Sequence, residues 1–191
     1  MKDKPIVLAS ASPRRREILT LGGVPFEVCP SADESAPQGL KPEALVRALA
    51  RCKSTQVASQ YAERIVLGAD TMVVLDGETL GKPSSPEHAV EMLMRLQGRE
   101  HQVMTGVWCI RTNSAKEVVK EDGFTDTAIV KFFPMTEEEA RDYVATNEPL
   151  DKAGSYGIQG YGMRFVEGIC GDFYTVMGLP GGRLLRFLKD F

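Results

Sequence analysis

Apolar residues recur along this chain at two spacings. "PIVLAS", residues 5–10, is a short unbroken apolar run and predicts a buried strand. In "SPRRREILTLGG", 12–23, Ser12 stands at the N-cap position, Pro13 at the first helical residue, and two glycines close the segment. The pattern predicts a helix with Ile18, Leu19 and Leu21 turned inward. "PFEVCP", 25–30, alternates between prolines and predicts a strand, and an acidic loop follows over 31–39. Residues 41–65 carry a long helical pattern. Residues 65–83 are strand-like, with Asp76-Gly77 marking a tight hairpin. Ser85-Pro86 opens a second capped helix over 85–98, with Ala89, Met92, Leu93 and Leu96 on one face. Two long strands are predicted over 101–112 and 124–133, then a helix over 136–146 with acids in its first turn. A glycine-rich loop spans 147–162, a strand pair broken near Gly171 spans 164–178, and 179–191 closes with a short helix.

This order predicts an α/β fold: a mixed, twisted sheet with helices on both faces. The sequence shows no repeat, low-complexity tract or linker, so residues 1–191 are expected to form a single domain. At 43% hydrophobic and 26% charged, the chain can build a real core. Its net charge of -3 argues against a general nucleic-acid-binding surface. Cysteines at 29, 52, 109 and 170 are too far apart in sequence for a CxxC-type metal or redox pair, which suits reduced thiols in a cytoplasm. With only two histidines, a multi-histidine metal site is excluded. No segment approaches the roughly 18 apolar residues of a membrane span, and the first apolar stretch is too short for a signal peptide. A soluble, cytoplasmic protein is expected.

The chemistry begins at "LASASPRRREIL", 8–19. Arg14, Arg15 and Arg16 fall in the first helical turn, the positive end of the helix dipole. One arginine there reads as a solvated helix start. Several together, beside Ser10 and Ser12, offer backbone donors, hydroxyls and guanidinium forks to a phosphate. It is not a standard phosphate loop: GxxxxGK[ST] and GxGxxG are both absent. In "IVLGADTMVVL", Asp70 interrupts an apolar strand. It either faces solvent by alternation, or is paired or metal-bound because a lone buried carboxylate is costly. Gly68 and Ala69 leave the space beside it that an approaching ligand would need. Lys53 lies on or near the apolar stripe of Leu45, Leu49 and Val57, either snorkelling or reaching a ligand. Lys82, in the loop after the hairpin, becomes a plausible phosphate ligand in this company. Glu34, beside Asp33 in the acidic loop, is either solvated or completes a divalent metal site with Asp70. Gln159 presents both donor and acceptor, which can match a base edge.

Together these stretches, with "GADTMVVLDGETLGKP", "HQVMTGV", "EPLDKAGSYGIQG" and "VMGLP", resemble the Maf family of nucleoside triphosphate pyrophosphatases over nearly the whole chain. The resemblance implies an elongated mixed α/β fold akin to inosine triphosphate pyrophosphatases, with two lobes around a cleft. It implies hydrolysis between the α and β phosphates, giving a monophosphate and pyrophosphate with a divalent cation, Mg²⁺ or Mn²⁺. It assigns the catalytic acid to Asp70, phosphate binding to Ser10, Arg14, Arg15, Lys53 and Lys82, and an acidic loop residue to Glu34. Arg14, Thr71 and Gln159 side with the branch acting on dTTP and UTP. The sibling branch, associated with 7-methyl-GTP, carries an aromatic, Gln and Glu there. Homodimers are common in the family, which is also linked to arrest of cell division.

The expected mechanism has Asp70 and Glu34 as metal ligands, the basic residues and serine holding the β and γ phosphates, and water attacking the α phosphorus with help from Asp70. The alternative is a nucleotide-sensing regulator of division, which needs the basic cradle but no carboxylate by the α phosphate.

Overall fold

The structure is a computed structural model and describes residues 4–31, 35 and 39–191. Its elements are β1 (Ile6–Leu8), α1 (Pro13–Leu21), β2 (Phe26–Val28), α2 (Pro42–Ala58), β3 (Ile65–Leu75), β4 (Glu78–Leu80) and α3 (Pro86–Leu96). They continue with β5 (Glu100–Thr112), β6 (Val118–Phe132), α4 (Glu137–Ala145), three short 3-10 turns within residues 148–165, β7 (Val166–Cys170), α5 (Phe173–Met177) and α6 (Gly181–Asp190). The seven strands form one mixed sheet in the order β2-β1-β3-β5-β6-β7, with β4 paired to β3. The chain divides into two compact units. The first comprises Met1–Asp70, Thr105–Asp126 and Gly178–Phe191, and the second Thr71–Met104 and Thr127–Met177.

In the first unit β1 runs parallel to both β2 and β3, with Val7 opposite Glu27 on one side and Val66 on the other. Parallel neighbours need crossovers, and α1 and α2 supply them. Val7, Ala9, Val57, Ala58, Val66 and Ile110 form a buried cluster here, with Tyr61 and Trp108 against it. In α1, Ile18 and Leu19 are buried as predicted, but Leu21 is 67% exposed. Ser12 occupies the N-cap position of α1, yet its side chain makes no capping bond; its backbone N–H donates to Ser10 Oγ instead.

Helix α2 ends at Ala58, seven residues before the predicted limit. No Gly or Pro marks the stop. Ser59 caps the end, its hydroxyl donating to the Gln56 carbonyl, and the N–H groups of Gln60 and Tyr61 close onto Val57 and Ala58. Tyr61 reaches the apolar cluster from this turn, so the apolar periodicity continues although the helix does not.

In the second unit α3 and α4 pack together over a core built on Leu75, Leu93, Leu96, Val130, Phe132 and Tyr143. Both helices start on chemistry legible in the sequence. Ser85 Oγ accepts from the His88 N–H, and Thr136 and Glu139 form a reciprocal capping box. The Asp76-Gly77 hairpin forms with positive φ at both residues, 52° and 84°.

Two strand predictions need correction. β6 starts at Val118, six residues early, where Val118 and Val119 are exposed and the sequence carries no burial pattern. Residues 173–177 are helix, not strand. Asp172 Oδ1 accepts from the Tyr174 N–H and turns the chain, overriding the β preference of Phe-Tyr-Thr-Val.

Candidate active site

Ser10 lies two residues beyond the end of β1 and is buried. Its hydroxyl oxygen accepts from Arg15 Nη1 at 2.9 Å, and Arg15 Nε donates to the Gly178 carbonyl at 2.9 Å. Arg15 is therefore held by the protein's own acceptors. Burial pulls its pKa below the usual guanidinium value; the Asp70 carboxylate opposes that, and Arg14 adds to it. Arg14 is half-buried, and its guanidinium makes no ion pair or hydrogen bond among the described residues. Of the two, Arg14 is the cation available to an anionic ligand.

Lys53 and Asp70 meet in a short ion pair, Nζ to Oδ1 2.6 Å, with side chains 11% and 16% exposed. The snorkelling and solvent-facing alternatives both fall: each charge is withdrawn from water and satisfied by the other. Gly68 explains how they meet. A Cβ there would lie 2.1 Å from the Ala50 carbonyl oxygen and 2.8 Å from the Ser54 nitrogen. The space at Gly68 is thus filled by the backbone of α2, not left for a ligand as the sequence suggested. That contact seats α2 on β3 and carries Lys53, the neighbour of Ser54, to the carboxylate two residues beyond Gly68.

A buried ion pair is weak evidence for stability, because desolvation offsets most of the Coulombic gain. Its chemical interest is that Oδ1 holds the lysine. Among the described residues Oδ2 has no partner, which leaves it for a proton or a cation.

Ser10, Arg14, Arg15, Lys53 and Asp70 all belong to the first unit, and Thr71, Lys82 and Gln159 to the second. Thr71 follows Asp70 on β3 and is half-buried. Lys82 is exposed in the loop after β4, and that loop is tied to the glycine-rich segment by the Gly154 N–H donating to the Gly81 carbonyl at 3.0 Å. Gln159 is half-buried within that segment. Glu34 lies outside the described residues.

The sequence reading missed a pair of residues beside Gln159. Tyr143, on α4, donates its hydroxyl proton to Glu148 Oε1 at 2.9 Å and accepts from the Gly157 N–H at 3.0 Å. Glu148 also accepts from the N–H groups of Tyr161, at 2.9 Å, and Gly162, at 3.1 Å. Burial alone would raise the Glu148 pKa; the Tyr161 N–H, the Tyr143 hydroxyl, the Gly162 N–H and Lys152 outweigh it and hold the carboxyl below its usual value. Burial pushes the Tyr143 hydroxyl well up. The only hint in the sequence is the density of glycines at 154, 157, 160 and 162.

Among the described residues no group of three or more His, Cys, Asp or Glu side chains is placed to hold a metal ion. This donor set still fits Mg²⁺, which is bound through one or two carboxylates together with substrate phosphates rather than by an all-protein cage.

Residues 5–191 match the sequence model of the family described as Maf-like protein. A dTTP/UTP pyrophosphatase of Bacillus velezensis is 47% identical over 189 residues, covering 98% of this chain and 97% of that protein. A dTTP/UTP pyrophosphatase of Bacillus cereus is 50% identical over 187 residues, covering 97% of this chain and 95% of its own. Among solved structures, the Ham1 protein of Staphylococcus aureus superimposes with a TM-score of 0.52 at 15% identity, over 98% of this chain and 99% of that one. A HAM1 protein from Coxiella burnetii gives 0.51 at 13% identity, with the same coverage. At that identity the likeness is one of fold, and it agrees with the mixed α/β architecture. The sequence matches go further, running the length of the chain through both units: the protein belongs to the Maf-like family.

Proposed function

We propose that this protein is a nucleoside triphosphate pyrophosphatase that hydrolyses dTTP and UTP, and modified pyrimidine nucleotides of the same shape, in nucleotide-pool house-cleaning. The observation that carries this reading is the near-full-length relation, at 47–50% identity, to proteins named dTTP/UTP pyrophosphatase. The Lys53–Asp70 pair supplies the matching chemistry.

Water attacks the α phosphorus, the bond from that phosphorus to the bridging oxygen breaks, and pyrophosphate leaves. Asp70 accepts the proton of the attacking water, and the hydrogen bond from Lys53 to Oδ1 orients the carboxylate for that transfer. Arg14 offsets the charge of the polyphosphate, Ser10 and Lys53 offer its oxygens hydrogen-bond donors, and Arg15 fixes the Ser10 hydroxyl. Thr71, Lys82 and Gln159 keep the substrate-binding roles that the family resemblance gives them, Gln159 reading the base edge. In the alternative use of the same free oxygen, Oδ2, Asp70 with Glu34 would hold Mg²⁺ or Mn²⁺, which when bound would offset phosphate charge and acidify water. The unbroken family match supports reading residues 1–191 as one domain. A cytoplasmic location and a homodimer complete the proposal; light scattering of the purified protein tests the latter. No described helix is long and apolar enough to cross a membrane.

The decisive experiment incubates the protein and Mg²⁺ or Mn²⁺ with a panel of nucleoside triphosphates and separates products by ion exchange. Monophosphate plus pyrophosphate from dTTP and UTP, with little from GTP, is expected. Diphosphate plus phosphate would move the attack to the γ phosphorus. Tight binding without turnover would make the protein a nucleotide sensor.

A further inference from the structure

Residues 157–162 are held at both ends by one hydrogen-bonded hub. At one end the Gly157 N–H donates to the Tyr143 hydroxyl. At the other, the Tyr161 and Gly162 N–H groups donate to the Glu148 carboxylate. The hub closes on itself through the Tyr143 hydroxyl and Glu148. Gln159 sits between these anchor points. Two glycines of the segment lie close against the hub: a Cβ at Gly160 would lie 2.6 Å from Glu148 Oε2, and one at Gly162 would lie 2.3 Å from the Gly157 carbonyl oxygen and 2.7 Å from the Tyr143 hydroxyl. Tyr143 is buried and set on α4, so the anchor is a rigid element and not another loop.

We propose that Tyr143 and Glu148 are positioning residues for Gln159, and through it set the selectivity for the base. The inference rests on the proposed reading of Gln159. A half-buried amide discriminates between bases only if its donor and acceptor stand at fixed places, because mispairing then leaves polar groups unsatisfied. Three backbone N–H groups taken by one tyrosine and one carboxylate provide that fixity.

The test measures kcat and KM separately for dTTP, UTP and GTP in the wild type, Gln159→Ala, Tyr143→Phe, Glu148→Gln and the Tyr143→Phe/Gln159→Ala double variant. Melting temperatures are recorded alongside. Tyr143→Phe keeps the buried ring, and Glu148→Gln keeps the shape and one acceptor oxygen. Tyr143→Phe is expected to lower the dTTP-to-GTP ratio of kcat/KM by about ten-fold, the scale of one hydrogen bond. Glu148→Gln should lower it in the same direction, and the double variant should lose no more selectivity than Gln159→Ala alone.

An unchanged ratio in Tyr143→Phe and Glu148→Gln, with Gln159→Ala less selective, overturns the inference and leaves the reading of Gln159 intact. So do losses that add in the double variant, or a fall in kcat that is equal for all three nucleotides, as mere destabilisation would produce. A wild type without pyrimidine preference, or an unaltered Gln159→Ala, removes the reading itself and the inference with it.

Discussion

Arg14 and Arg15 are neighbours with different work. Arg15 spends two of its donors on Ser10 and the Gly178 carbonyl. Arg15→Lys cannot span both acceptors, and should cost about 1–3 kcal/mol of stability, read as a lower melting temperature. Arg14→Ala should leave the melting temperature unchanged and raise KM for dTTP. Asp70→Asn keeps an amide oxygen for Lys53, so the variant should fold and bind nucleotide. Its kcat should fall by about 10²–10⁴-fold, the usual worth of a positioned base; full activity would remove Asp70 from the mechanism. Asp70 and Lys53 were legible because each puts a charge where the surrounding pattern is apolar. Tyr143 and Glu148 were not. Each looks ordinary in its own neighbourhood and acquires meaning only from partners up to 14 residues away.

Element boundaries follow the same logic. Starts marked by side-chain chemistry, such as Ser85 and the Thr136–Glu139 box, could be read from the sequence because the signal is local. The end of α2 could not, because the residues that stop it are ordinary and the apolar rhythm runs on through Tyr61. Ser12 shows the converse: a strong local signal at a residue whose side chain makes no capping bond. The packing of α2 on β3 hangs on one missing methyl group. Gly68→Ala would place a carbon 2.1 Å from the Ala50 carbonyl oxygen. The helix must shift, at a cost of about 1–3 kcal/mol. That shift draws Lys53 away from Asp70, so the variant should lose activity out of proportion to its fall in melting temperature, as paired unfolding and kinetic measurements will show.

For the molecule as a whole, acid sensitivity should be governed in part by a group that the mechanism does not use. His101 is buried between Phe132 and Tyr156, its Nε2 2.8 Å from the Tyr156 hydroxyl and its Nδ1 without a partner among the described residues. Burial lowers its pKa to about 4, from 6.5. Above 6.5 it is neutral in both folded and unfolded chains. Between 6.5 and about 4 only the unfolded chain takes up the proton, so stability falls with pH across that window and then levels. The loss is about 3 kcal/mol in total. Urea midpoints from pH 7 to 4 should show this slope in the wild type and a flatter one in His101→Gln. Charge also shapes how a nucleotide arrives. The chain carries a net charge of -3, so it does not draw a polyanion from a distance. Locked together at 2.6 Å, Lys53 and Asp70 present a dipole rather than two charges, and a dipole's field dies away within a few ångströms. The pair is electrically silent until a triphosphate is already beside it. Ionic strength should therefore alter capture through Arg14 and Lys82, and leave the chemical step almost untouched.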